Sequence, residues 1–156
     1  MQQKKPEFLD ASGLRRAAVD LLSRRDYSRL ELFRKLKPRC EDPDDLDVIL
    51  DDLQQRQWQS DQRFAESFLN SRCQRGLGPL RLRQELKEKG IASDMISLVM
   101  EAAEIDWYLL AQQAAEKKII SYKESDNKKQ KLFRFLAYRG FSGDHITTAI
   151  EILELK

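Results

Sequence analysis

The sequence predicts an all-α protein built from three tandem three-helix repeats of about fifty residues each, stacked into an elongated, curved, solenoid-like molecule. Three observations carry this. First, a shift of 50 residues superimposes Leu32, Leu82 and Leu132, then Leu36, Leu86 and Leu136, then Leu46, Ile96 and Ile146, then Leu50, Met100 and Ile150. All twelve are apolar, as internal repeats require of positions that face a shared core. Second, apolar residues recur at helical spacing within each unit, with no sustained alternation that would mark strands. Third, a basic cluster is followed by an acidic stretch three times over. Residues 14–39 hold nine Lys or Arg against three acids, 72–90 hold six against two, and 117–139 hold eight against two. Segments 40–54, 93–106 and 140–155 then carry seven, four and three acids and no bases. The formal net charge of +2 conceals this polarity.

In order along the chain, residues 1–13 read as a flexible N-terminal segment, 14–57 as the first repeat, 58–106 as the second and 107–156 as the third. The middle unit shows the pattern best. Asp61 is placed to cap a helix that carries Phe64, Ala65, Phe68 and Leu69 on one face, and Gly76 or Gly78 ends it. Pro79 opens the second helix, where a first-turn proline is tolerated, with Leu82 and Leu86 inward and Gly90 as the stop. The third helix starts near Asp94 with Ile96, Val99, Met100 and Ala103 inward; Asp44 and Asp144 recur at the same phase, as N-caps would. Trp58 and Trp107 recur 49 residues apart near the starts of the second and third units. Residues 121–127 read as a polar loop, and 37–43 departs from the pattern, with Cys40 where the other units have Gly90 and Gly140. Short helices like these gain their stability by burying an apolar stripe, which is why neighbouring units are expected to stack.

Composition argues against several functions. With 41% hydrophobic and 35% charged residues the chain can bury a core, yet it is polar for one compact globule. It has no apolar run of the ~20 residues that a membrane span needs, and Met1 to Pro6 lacks the apolar core of a secretion signal; a cytoplasmic location is expected. Cys40 and Cys73 have neither a CxxC spacing nor a nearby histidine, so they read as reduced structural thiols and no metal site is expected. His145 is the only histidine and has no companion for a triad. The Gly76-Leu77-Gly78-Pro79 turn is too short for a phosphate-binding loop and lacks the Lys-Ser/Thr that follows one. No cofactor is implied, and an enzymatic reading has little support.

The candidate site is a basic face. At about 100° per residue, Arg34, Lys37, Arg83, Lys87 and Arg134 on the second helices point away from the buried leucines, and Arg24, Arg25, Arg72 and Arg75 extend the stripe at the ends of the first helices. Arg39, Lys89 and Arg139 fall beside the leucines at the last turn of their helices, where a cation complements the helix dipole, and Arg81 can pair with Glu85 four residues on. Guanidinium suits phosphate and carboxylate alike, so charge does not separate a nucleic-acid backbone from an acidic protein groove. Phe64 and Phe68 belong to the apolar face, and no aromatic set resembles a stacking platform for single strands.

Asp61-Gln-Arg-Phe-Ala-Glu-Ser-Phe, followed by Arg72-Cys-Gln-Arg-Gly-Leu-Gly-Pro-Leu-Arg-Leu-Arg-Gln-Glu-Leu-Lys-Glu-Lys-Gly-Ile91, closely resembles the central repeat of RecX proteins. Lys131-Leu-Phe-Arg-Phe-Leu-Ala-Tyr-Arg-Gly-Phe141 and Tyr27-Ser-Arg-Leu-Glu-Leu-Phe-Arg-Lys-Leu36 resemble the corresponding segments of the third and first repeats, so the likeness runs from about residue 14 to 153. It departs at Gln57-Trp58, where a Gly-Tyr type pair is common, and at Cys40, a frequent glycine position. The resemblance implies a small bacterial regulator of the RecA recombinase. Such a protein binds the RecA–DNA filament along its helical groove, blocks extension or promotes disassembly, and lowers strand exchange, ATP hydrolysis and repressor self-cleavage. No catalytic residue carries over. The expected partner is therefore the RecA filament, with weak single- or double-stranded DNA binding as a further contact, no membrane, and a monomeric state. Two other readings remain open from the residues. Three-helix units with basic second helices also suit a helix-turn-helix regulator that binds DNA directly, and a passive helical scaffold for another acidic partner would use the same face.

Overall fold

The computed structural model describes residues 7–155 and is all-helical, in agreement with the class the sequence predicts. The expected flexible segment lies partly outside the described residues, since nothing before residue 7 is included; of its remainder, residues 11–13 already belong to a helix. Two compact units divide the chain: one comprises Met1–Ser67 with Lys89–Ala92, the other Phe68–Glu88 with Ser93–Lys156.

In the first unit, α1 (Ala11–Arg24) is capped by Asp10, whose carboxylate accepts from the Gly13 amide at 2.7 Å. Just ahead of it, the Leu9 amide donates to the Arg39 carbonyl at 2.8 Å, tying the start of the described chain to the turn that follows the second helix. α2 (Arg29–Leu36) opens with a capping box: the Ser28 hydroxyl accepts from the Glu31 amide while the Glu31 carboxylate accepts from the Ser28 amide, both at 3.1 Å. A 3-10 turn over Lys37–Arg39 follows, forced by Pro38, and delivers Cys40 in extended conformation. That is how this unit ends its second helix without the glycine of the others. α3 (Pro43–Gln55) completes the triplet, and Leu14, Ala18, Leu32, Leu36, Leu46, Leu50 and Leu53 form its core. α4 (Asp61–Gln74) begins in this unit and runs past its boundary.

The second unit contains α5 (Pro79–Glu88), α6 (Ser93–Ala102), α7 (Trp107–Ile119), α8 (Lys128–Tyr138) and α9 (Gly143–Leu155). Ala111 and Ala115 of α7 let α8 and α9 approach closely, and Leu132, Leu136, Phe141 and Ile146 fill the space between them. Residues 121–127 are a 3-10 turn leading into irregular turns, as the polar composition implied.

All the repeated apolar positions turn inward: Leu32, Leu82, Leu132, Leu36, Leu86, Leu136, Leu46, Ile96, Ile146, Leu50 and Met100 are buried, and Ile150 is half-buried against the α7–α9 core. Burial of each such side chain contributes roughly 1.5–3 kcal/mol. The predicted caps need correction. Asp44, Asp94 and Asp144 sit inside the first turns of α3, α6 and α9, and Asp61 is the first residue of α4. The capping acceptors are instead Asp42 for α3, Ser60 for α4 and Ser142 for α9, through the amides of Asp44, Arg63 and His145. First-turn carboxylates still gain from the helix dipole, a different stabilisation with the same sequence signature. Ala103 lies beyond the end of α6 and is exposed.

A single backbone device recurs 50 residues apart. In the first unit, Leu30 lies so close to Gly90 that a Cβ there would come within 2.7 Å of the leucine Cβ. In the second, a Cβ on Gly140 would come within 2.3 Å of the Arg81 Cβ, and one on Gly78 within 2.4 Å of the Gly140 backbone. Gly78 donates to the Arg139 carbonyl at 2.8 Å and Leu80 to the Gly140 carbonyl at 2.9 Å. Gly90 and Gly140 also have φ of +84° and +98°, so glycine answers both the space and the conformation.

Candidate functional site

In the first unit the predicted cations are exposed, and Arg24 and Arg25 are among those held by acids. Arg24, the last residue of α1, pairs with Asp20 at 3.0 Å. Arg25 stacks its guanidinium 3.5 Å from the Tyr27 ring centroid and pairs with Glu31 at 3.3 Å, while Lys89 reaches the same carboxylate oxygen, also at 3.3 Å. Burial works to raise the Glu31 pKa, but the Ser28 amide, Arg25 and Lys89 outweigh it and hold the carboxyl below its ordinary value. For Arg25 burial opposes the charge, and Glu31 with Tyr27 more than restores it. Arg34 stands exposed on α2, and Lys37 is exposed with its ammonium 5.8 Å from the Phe33 ring.

The second unit concentrates cations in a groove between the α4 C-terminus, α7 and α8. Arg75, Lys117, Lys118 and Arg139 line a space of about 520 Å³ together with the apolar Leu110, Ala114 and Phe135 and with Cys73. Among the described residues no acidic side chain lines it. Lys118 and Arg139 each sit 5.0 Å from the Phe135 ring, and Arg139 donates to the Arg75 carbonyl at 3.2 Å. The groove continues along Arg72, Arg81, Glu85 and Tyr138. There Glu85 receives Arg81 at 3.3 Å and Arg72 at 3.7 Å, Arg72 lies 4.7 Å from the Phe68 ring, and Arg81 lies 5.3 Å from the Tyr138 ring.

The groove thus brings Arg72 and Arg75 together with Arg81 and Arg139, two residues whose sequence reading was structural. That reading holds in part, for Arg81 does pair with Glu85, but it missed the convergence. Lys117, Lys118, Phe135 and Tyr138 were not singled out at all; the available signal was the Lys117-Lys118 pair opening the third basic cluster. Arg83, Lys87 and Arg134 are exposed but do not line the groove, and Arg83 donates to Ser97 Oγ at 3.2 Å.

The remaining reactive groups have local partners. Cys40 and Cys73 are both free thiols; Cys40 is buried with its sulfur 2.8 Å from the Asp42 carbonyl, and burial pushes the Cys73 thiol pKa up, away from thiolate character. His145 packs edge-on against Tyr108 with ring centroids 4.6 Å apart and accepts from the Ser142 amide at Nδ1; burial lowers its pKa against the opposing pull of Asp144. Among the described residues no group of His, Cys, Asp and Glu is arranged to hold a metal, and no helix is long and apolar enough to cross a membrane.

Fold and site together define a class: an all-helical protein of repeated three-helix units with cationic side chains on its exposed surfaces. Comparison with known proteins makes the class specific. The family model described as RecX, second three-helix domain, matches residues 60–100, and that described as RecX, third three-helix domain, matches residues 104–150. The chain is 42% identical over 135 residues to regulatory protein RecX of Haemophilus influenzae (strain PittEE), covering 85% of this chain and 89% of that one. It is also 42% identical over 132 residues to regulatory protein RecX of Actinobacillus pleuropneumoniae serotype 5b (strain L20), covering 85% and 87%. The crystal structure of RecX from Lactobacillus salivarius superposes with a TM-score of 0.81 at 26% identity, over 94% of this chain and 97% of that one. The chain belongs to the RecX family, and this membership supports a regulatory role of the RecX type.

Proposed function

We propose that this protein is a non-enzymatic regulator that binds RecA and the RecA–DNA filament in the cytoplasm. As a monomer it limits filament extension, and with it ATP hydrolysis, strand exchange and coprotease activity in DNA repair and the SOS response. The observation that carries the reading is the family relation, 42% identity to proteins named regulatory protein RecX over 85% of the chain. What the structure adds is a physical means. The leucines of each second helix are consumed by the core, which leaves Arg34, Lys37, Arg83, Lys87 and Arg134 exposed on the outer side of those helices. Cations in that setting raise the encounter rate with an anionic partner and orient it, while affinity depends on desolvated contacts.

The test follows single-stranded-DNA-dependent ATP hydrolysis by preassembled RecA filaments as this protein is titrated in. Inhibition well below one molecule per RecA protomer is expected, because a regulator of extension acts on few sites per filament. Unchanged hydrolysis at equimolar protein would overturn the proposal. Should sequence-selective duplex binding appear in its place, the basic second helices would be read as direct DNA-binding elements.

A further inference from the structure

We propose that the groove formed by Arg75, Lys117, Lys118 and Arg139 is a docking site for an acidic peptide segment that carries apolar side chains. This goes beyond the filament reading, since the groove's ligand is defined by its own chemistry, whichever protein supplies it.

Three features select that occupant. Among the described residues the lining offers four cations and no acid, and the carboxylate of the adjoining stretch, Glu85, is already shared by Arg72 and Arg81. The same lining includes the apolar Leu110, Ala114 and Phe135, and a polypeptide supplies side chains to cover such a surface whereas a sugar-phosphate backbone does not. The one aromatic ring in this lining is already engaged: Phe135 carries Lys118 and Arg139, and the exposed Tyr138 with its Arg81 contact lies in the adjoining stretch, so the space itself offers no set of rings of the kind that stacks nucleobases. Next to the groove the protein shows the recognition it would extend to a ligand, because Glu85 is held there between Arg72 and Arg81. A carboxylate on a peptide would meet Arg75 and Arg139 in the same fashion, with charge-assisted hydrogen bonds as the anchor.

The test uses the full chain and fluorescence anisotropy of a labelled synthetic peptide of about ten residues, alternating Asp or Glu with Leu or Phe. Arg75 and Lys117 are both exposed, so R75E/K117E keeps the fold, which an unchanged thermal melt confirms. Binding by the parent protein and a loss of at least about tenfold in R75E/K117E are expected, since two rim cations become repulsive to the peptide. R34E/K37E, the same change of charge in the first unit, should retain peptide binding. Replacing the apolar residues of the peptide with Ser should weaken it, and oligo(dT) of equal formal charge should bind less tightly. Peptide binding that R75E/K117E leaves unchanged, no peptide binding at low salt, or tighter oligo(dT) binding lost in R75E/K117E would each overturn the proposal; the last would make the groove a nucleic-acid contact. Neither result bears on the ATP-hydrolysis test above, so the two readings fail separately.

Discussion

The two compact units solve one packing problem with different chemistry. In the first, the contact of Leu30 with Gly90 is reinforced by side chains: Glu31 caps its own helix and gathers Arg25 and Lys89. In the second, the equivalent contact is made by the main chain, through Gly78 to Arg139 and Leu80 to Gly140. Position 81, fifty residues from Glu31, is Arg, and position 139 is Arg where 89 is Lys. There Arg81 pairs with Glu85 of its own helix and Arg139 reaches the Arg75 carbonyl, so both side chains lie along the groove. In the first unit a shared carboxylate ties the cations to the packing contact, and in the second the main chain makes that contact.

The largest expected effect separates these two solutions. G140A forces a side chain into φ of +98° and against Arg81, and should destabilise the second unit by about 2–4 kcal/mol. G143A meets nothing within 4 Å and should stay within about 0.5 kcal/mol of the parent. Chemical denaturation followed by Trp107 fluorescence in a W58F background reports the second unit. Equal losses for both variants would mean the close approach is not what glycine provides.

E31Q tests the other solution. It weakens the pairing with Arg25 and Lys89 and should cost about 1–2 kcal/mol. Its pH dependence has a definite sign. Because the folded pKa of Glu31 is depressed, its contribution is fully present above the ordinary carboxylate pKa and is lost as pH falls through the folded value. As pH falls below about 4 the gap between the parent and E31Q should therefore begin to narrow, and it should close once the folded protein's Glu31 is protonated, read by the fluorescence of Trp58 in a W107F background. A constant gap across that range would remove the carboxylate from the account.

The smallest effect concerns the turn after α3. Gln57 occupies φ of +61°, the left-handed region that favours glycine, and it stands where the RecX resemblance has a common glycine. Relief of that strain is offset by the greater unfolded-state freedom of glycine, so Q57G should raise stability by no more than about 1 kcal/mol. A thermal melt lower than that of the parent would show that the Gln57 side chain does more than tolerate the turn.

Much of this was legible in the sequence, for identifiable reasons. A period of 50 residues placed the core leucines because burial constrains the same position in every repeat. Pro79, Gly76, Gly90 and Gly140 were readable because few residues satisfy their backbone geometry. Capping was misread at Asp44, Asp94 and Asp144, since carboxylates are favoured both at the cap and one turn within, and a sequence does not distinguish the two causes. The groove was largely hidden. A helical wheel treats one helix at a time, whereas Arg75 and Arg139 meet across 64 positions of chain. The tight passage of Gly78 against Gly140 has no local signature either.

The central claim, that cations on the exposed side of the second helices carry partner binding, is tested most directly by co-sedimentation with RecA filaments on single-stranded DNA. The parent is compared with R83E/K87E and R34E/K37E, whose changes lie on exposed side chains and should leave thermal stability within about 0.5 kcal/mol. The account predicts filament binding weakened by at least about tenfold in R83E/K87E and recovered in part at low salt. Parent-level binding by both variants, with inhibition of ATP hydrolysis intact, would contradict it.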